Sequence, residues 1–163
     1  MSYSIVYSSQ TGNTKQLAET LRETLPQEGC RYFGTPAEAA AEADTLYVGF
    51  WTDRGHADAD CNAFLKTLRG KKVFLFGTAG FGGSAEYFAK ILSAVQAELD
   101  PSNTVVGTYM CQGRMPQSVR QRDEAMKQQP NPASNLDMLI ENFDRALAHP
   151  DAGDLERLKQ AVQ

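Results

Sequence analysis

Ser8-Ser9-Gln10-Thr11-Gly12-Asn13-Thr14 joins two segments whose periodicities differ. Before it, Tyr3-Ser4-Ile5-Val6-Tyr7 is short, apolar and β-prone; after it, Leu17, Leu21 and Leu25 recur at helical spacing. The stretch is therefore a strand-to-helix loop, with a strand over residues 3–8 and a helix over 14–26. At such a junction free backbone N–H groups and the positive end of a helix dipole converge, which suits a phosphate. Ser8, Ser9, Thr11 and Thr14 add hydroxyls, Gln10 and Asn13 add amides, and Gly12 lets a ligand approach the main chain. The loop holds no cation and matches neither the triphosphate-binding pattern Gly-x-x-x-x-Gly-Lys-Ser/Thr nor the dinucleotide pattern Gly-x-Gly-x-x-Gly. A terminal monophosphate held by neutral donors fits it. The competing reading is a helix cap in which Ser and Thr merely satisfy free N–H groups.

Working outward, apolar strand-like runs alternate with helical patterns, which predicts a parallel sheet covered on both faces. Short strands are expected at 30–33, 45–50, 72–77 and 104–110, and helices at 36–43, 59–69, 84–99 and 135–148. The run Lys72-Val73-Phe74-Leu75-Phe76-Gly77 is apolar on both faces and so central. The segment 111–134 is polar, with a solvated helix at 118–127, and 151–163 reads as a tail with a short helix carrying Leu155 and Leu158. The expected organisation is one domain over 1–149, including that polar insertion, followed by a docking or packing tail over 150–163.

Composition narrows the classes of function. The apolar fraction of 42% and charged fraction of 22% are those of a soluble globular protein. No run reaches the ~20 apolar residues of a membrane span and no leader is evident, so a cytoplasmic protein without membrane contact is expected. The net charge of −4 and the lack of a basic stripe argue against nucleic acid. Cys30, Cys61 and Cys111, with His56 and His149, show no metal-ligand or disulfide spacing, so no metal is expected.

Ile5-Val6-Tyr7-Ser8-Ser9-Gln10-Thr11-Gly12-Asn13-Thr14 resembles the N-terminal signature of the flavodoxins at every position: two apolar residues, an aromatic, Ser/Thr, a small residue and a closing Thr. The resemblance implies an α/β fold of three layers, with a five-stranded parallel sheet in the order 2-1-3-4-5 and FMN as the cofactor. In a doubly wound sheet the ligand lies beyond the carboxyl ends of the strands, at the switch between the first and third. Loops 8–14, 50–60 and 77–84 would converge there.

In the second loop Phe50, Trp51, Thr52, Asp53, Arg54 and Gly55 are candidate flavin contacts, with Trp51, the one tryptophan, as a flat partner for the ring. The family places a flexible glycine near the flavin N5, and Gly55 matches it. The third loop offers Gly77, Thr78, Ala79, Gly80, Phe81 and Gly82, whose glycines bring the main chain close to the ring edge. The stacking tyrosine that many flavodoxins carry here is replaced by Phe81, which either substitutes or leaves the outer face partly open, while Tyr87 reads as packing. Asp53, Asp58 and Asp60 would form an acidic rim, lowering the flavin potential and steering a basic partner.

With no catalytic acid, base or nucleophile constellation, the leading expectation is an electron carrier between a reductase and an acceptor enzyme. The glycine-rich third loop and Cys111-Gln112-Gly113-Arg114-Met115-Pro116 are similar to a branch associated with accessory proteins of bilirubin reductases in gut bacteria. The alternatives are an FMN-dependent reductase acting directly on a quinone or similar small acceptor, and a binding module that has lost its flavin. A receiver domain is excluded, because Ser8 and Ser9 stand where its paired acids belong.

Overall fold

A computed structural model describes residues 2–81, 84–132 and 134–162. Five parallel strands form its centre: β1 (Tyr3–Tyr7), β2 (Cys30–Gly34), β3 (Thr45–Asp53), β5 (Lys72–Ala79) and β6 (Thr104–Gln112), in the order β2-β1-β3-β5-β6. Counting these five alone, the order is the expected 2-1-3-4-5. A two-residue β4 (His56–Ala57) pairs antiparallel with the end of β3. The helices are α1 (Asn13–Thr24), α2 (Ala59–Thr67), α3 (Ala85–Gln96), α4 (Gln117–Lys127), α5 (Leu136–Ala146) and α6 (Ala152–Ala161), and Glu38–Glu42 form a 3-10 turn.

Side chains alternate across the pleat and so build two cores. On one face Val48, Phe50, Val73 and Leu75 meet Leu65, Ile91 and Val95 of α2 and α3. On the other, Ile5, Phe74 and Phe76 meet Leu17 and Leu21 of α1 and Leu158 of α6. The C-terminal segment 150–163 thus supplies a sheet-covering helix, with Leu158 fully buried beside α1. At the centre, Phe50 pairs with Gly77 and Phe76 with Gly49 across β3 and β5. A Cβ on Gly77 would meet the Phe50 ring at 2.4 Å, and one on Gly49 would meet the Phe76 ring at 2.3 Å. Each ring lies over its neighbour's glycine.

One expected boundary shifts, and one expected helix packs elsewhere. β3 does not stop at residue 50; it pairs with β5 through Trp51 and folds back at Arg54-Gly55, so 50–58 is a β-hairpin rather than a loop. Both turn residues have positive φ, +53° for Arg54 and +83° for Gly55, the geometry whose twist matches the flanking strands. Arginine in that conformation is uncommon, which hid the turn. The helix expected at 135–148 forms as α5, but it does not cover the sheet. α5 pairs with α4 as a helical hairpin beyond the strand ends, and α6 covers the sheet.

Candidate functional site

α1 begins at the carboxyl end of β1, and the chain enters it through Gly12 in the left-handed region, φ +88°. Ser9 Oγ accepts from the N–H of Gly12 (3.1 Å) and of Lys15 (3.4 Å), so this hydroxyl sits among the free amides of the helix start. Ser8 is buried and its N–H donates to Gly49 O. Thr14 is fully buried: its hydroxyl donates to Phe50 O (3.1 Å) and lies 3.2 Å from Thr78 Oγ1, tying the loop to the ends of β3 and β5. Its side chain therefore locks the sheet ends instead of reaching outward.

The remaining donors of the loop face a segment the sequence did not single out for the phosphate. Arg114 O accepts from Thr11 Oγ1 (3.1 Å) and Asn13 Nδ2 (2.7 Å), while Arg114 Nη2 donates to Thr11 O (3.4 Å). That guanidinium lies 3.8 Å from where a Cβ on Gly12 would stand. The strap is tied on both sides, from Gly113 N to Ala79 O (2.9 Å) and from Arg114 N to His149 O (3.1 Å). The neutral phosphate loop thus acquires a cation from the end of β6.

Beyond this strap the strand ends open into a cleft of about 420 Å³, within the range of small-molecule sites. A narrow cavity of about 50 Å³, lined by Thr11, Asn13, Trp51, Thr78, Ala79 and Arg114, adjoins it through Gln10, Thr52, Gly80, Met115 and Pro116, which border both. Asp53, Arg54, Gly55 and Phe81 line the wide part, so the three expected loops do converge. The half-buried Trp51 borders the narrow part, its backbone N–H donating to Asp58 Oδ1 (3.2 Å). Phe81 is 45% exposed and meets Tyr87 edge-on, with centroids 6.4 Å apart. Tyr87 lines the cleft as well as packing, and burial raises its phenol above the ordinary value, which keeps it a neutral donor.

Several expected site residues lie elsewhere. Phe50 is a core side chain and Gly77 lies beneath it within β5, so neither borders the cleft. Gly82 lies outside the described residues. The acidic rim does not form as expected. Asp58 is buried as the N-cap of α2, accepting from Cys61 N (3.2 Å), and Asp60 faces a separate groove with Thr35 and Phe64. Of the three acids only Asp53 borders the cleft, where Arg54 and Arg122 offset the charges of Asp53 and Asp123.

The polar insertion supplies what the sequence reading missed. Met115, Val119 and Leu139 form an apolar wall opposite the loops, and the Met115 side chain lies over Gly80, where a Cβ would meet its sulfur at 2.5 Å. Gly80 O accepts from Gln112 Nε2 (2.9 Å) and Asn142 Nδ2 (3.0 Å), which fastens α5 to the third loop. Beside the motif at 111–116, the available signal was position, since Gly113-Arg114-Met115-Pro116 follows the carboxyl end of a parallel strand.

These residues fit flavin mononucleotide in kind. A helix N-terminus with Ser9 and Arg114 suits a phosphate, and the apolar walls of the cleft suit a flat ring. Asn13 Oδ1 is buried without a hydrogen-bond partner, an acceptor that a ribityl hydroxyl would satisfy.

Comparison with known proteins agrees with this architecture. Residues 4–163 match the flavodoxin domain family, and the chain belongs to that family. It is 42% identical to the flavodoxin-like domain-containing protein BilS of Clostridium symbiosum, over 95% of this chain and 90% of that protein. Among solved structures it resembles oxidised flavodoxin 2 from Bacillus cereus, with a TM-score of 0.61 at 16% identity over 98% and 94% of the two chains. It also resembles a Fusobacterium nucleatum flavodoxin variant bound to flavin mononucleotide, with a TM-score of 0.56 at 16% identity over 99% and 92%. Among the described residues no helix is long and apolar enough to cross a membrane.

Proposed function

We propose that this protein binds FMN and carries electrons from a reductase to an acceptor enzyme in the cytoplasm, as the accessory flavoprotein of a bilirubin-reductase-type system. The observation that carries the reading is the continuity between the α1 N-terminus with Arg114 and the 420 Å³ cleft, a phosphate site opening into a ring site. FMN, when bound, supplies one- and two-electron redox chemistry. The chain's own residues hold and orient it: Arg114 and the helix start bind the phosphate, and Met115, Val119 and Leu139 keep water from the ring. The assignment to a bilirubin system rests on the motif at 111–116 and on the likeness to BilS.

The test is an absorption spectrum of the purified protein with and without added FMN, followed by dithionite titration. Uptake of FMN with reversible bleaching is expected, and a protein that stays colourless in excess FMN would refute the reading. One observation favours direct reduction of a small acceptor instead: the α4–α5 hairpin lines the cleft, enclosing space beside the ring. Quinone turnover with NAD(P)H and no partner protein would select that alternative.

A further inference from the structure

α4 buries one side chain, and it is a carboxylate. Asp123 is 3% exposed and lines the cleft together with Val119, one turn before it. Among the described residues it makes one ion pair and accepts no hydrogen bond; Arg122 Nη2 stands 3.7 Å from its Oδ1, beyond hydrogen-bonding length. A helix at a protein surface ordinarily buries an apolar stripe. Here the inward face carries a carboxylate that faces the cleft with one ion pair and no hydrogen bond, a position that a ligand's donor can fill.

The cleft has a polarity that identifies the donor. Its narrow end holds the α1 N-terminus and Arg114, where an anion belongs. Asp123 lies in the wide end with Phe81, Tyr87 and Leu139. A ligand whose phosphate occupies the narrow end places its flat ring in the wide one. The oxidised flavin ring carries a single N–H, the imide between two carbonyls, and an ionised carboxylate can only accept. We propose that Asp123 accepts the hydrogen bond of the flavin imide N–H, so that the α4–α5 hairpin reads the ring edge. Arg122, on the same wall, supplies donors for a neighbouring carbonyl. The same negative charge repels a phosphate and so sets the direction in which FMN enters. The inference rests on the FMN reading above.

The experiment titrates FMN and N3-methyl FMN into the wild type, D123N and D123L by flavin fluorescence quenching, and melts each flavin-free protein. The wild type is expected to bind FMN at least tenfold more tightly than the N-methyl flavin. In D123L that preference is lost, while the flavin-free melting curve shows that the variant is folded. D123N, whose carbonyl still accepts, retains part of the preference and secures the test should D123L fold poorly. Equal binding of the two flavins by the wild type would overturn the inference and leave the FMN reading standing. A D123L protein that binds FMN as well as the wild type would also overturn it. Failure of the wild type to take up either flavin would overturn both readings.

Discussion

α1 and α4 both begin beyond the carboxyl end of a parallel strand and both border the flavin cleft, yet different forces hold them. α1 buries Leu17, Ala18 and Leu21 completely against the sheet. α4 buries only Asp123, and it is joined to α5 by solvent-facing ion pairs, Arg120 to Asp144 (2.9 Å) and Lys127 to Asp137. Apolar burial is robust, whereas exposed ion pairs contribute little and are screened by salt. The half of the cleft beside α1, the proposed phosphate site, is therefore as firm as the fold. The ring half depends on a hairpin drawn from the less stable end of the molecule, which a bound ligand would order.

The sharpest way to break this contrast is at α1. Leu21→Ala is expected to cost about 2–5 kcal/mol of global stability, read from urea unfolding, because the residue is fully enclosed. Next comes the strap between the two halves. Arg114→Gln should weaken FMN roughly tenfold to a hundredfold, from the ~1.5–3 kcal/mol of a hydrogen bond to a charged group, and leave riboflavin binding unchanged. Calorimetric titration of both ligands checks it; an equal loss for riboflavin would show that Arg114 positions the loop and does not contact the phosphate.

A smaller effect is expected at α6, which backs α1. Burial alone would raise the Asp154 carboxyl, but hydrogen bonds from His149 (2.6 Å), Asp151 N (2.9 Å) and Arg157 (2.6 Å) outweigh it and hold the group below the usual carboxylate range. With the folded pKa depressed, this stabilisation is fully present above about pH 4, the unfolded value, and is lost as pH falls through the folded one. Asp154→Asn should cost about 1 kcal/mol at neutral pH, the scale of a helix cap. Chemical unfolding at several pH values should show the difference shrinking in acid. The smallest global effect belongs to α4. Arg120→Ala should leave the unfolding midpoint essentially unchanged while raising hydrogen exchange across 117–146. Equal exchange in the two proteins would show that the ion pairs do not order the hairpin.

Much of the fold was legible because its signals are local. The apolar run of β5, the leucine repeat of α1 and the hydroxyl-rich loop between β1 and α1 each lie within a dozen residues. Asp58 was misplaced for a similarly local reason: an acid just before a helix reads as a cap, and α2 begins at Ala59. Phe50 and Gly77 were misread because their roles appear only when β3 and β5 lie side by side. Arg54 hid a turn that asparagine or glycine would have announced.

Alternating periodicity, with a complete phosphate-loop signature, was enough to specify a flavodoxin sheet and the loops that converge at its carboxyl end. Those features depend on neighbouring residues, and the pleat and the helical turn convert them directly into faces and ends. The composition of the ring site came from elsewhere. Arg114, Met115 and Asp123 reach the cleft from a polar segment whose motif at 111–116 gave no sign of a contact with the loop, about a hundred residues from Gly12. Packing across such separations follows from the mutual fit of whole elements, which no local window of sequence records. The neutral loop at 8–14 thus became a charged site only when the strap after β6 folded across it.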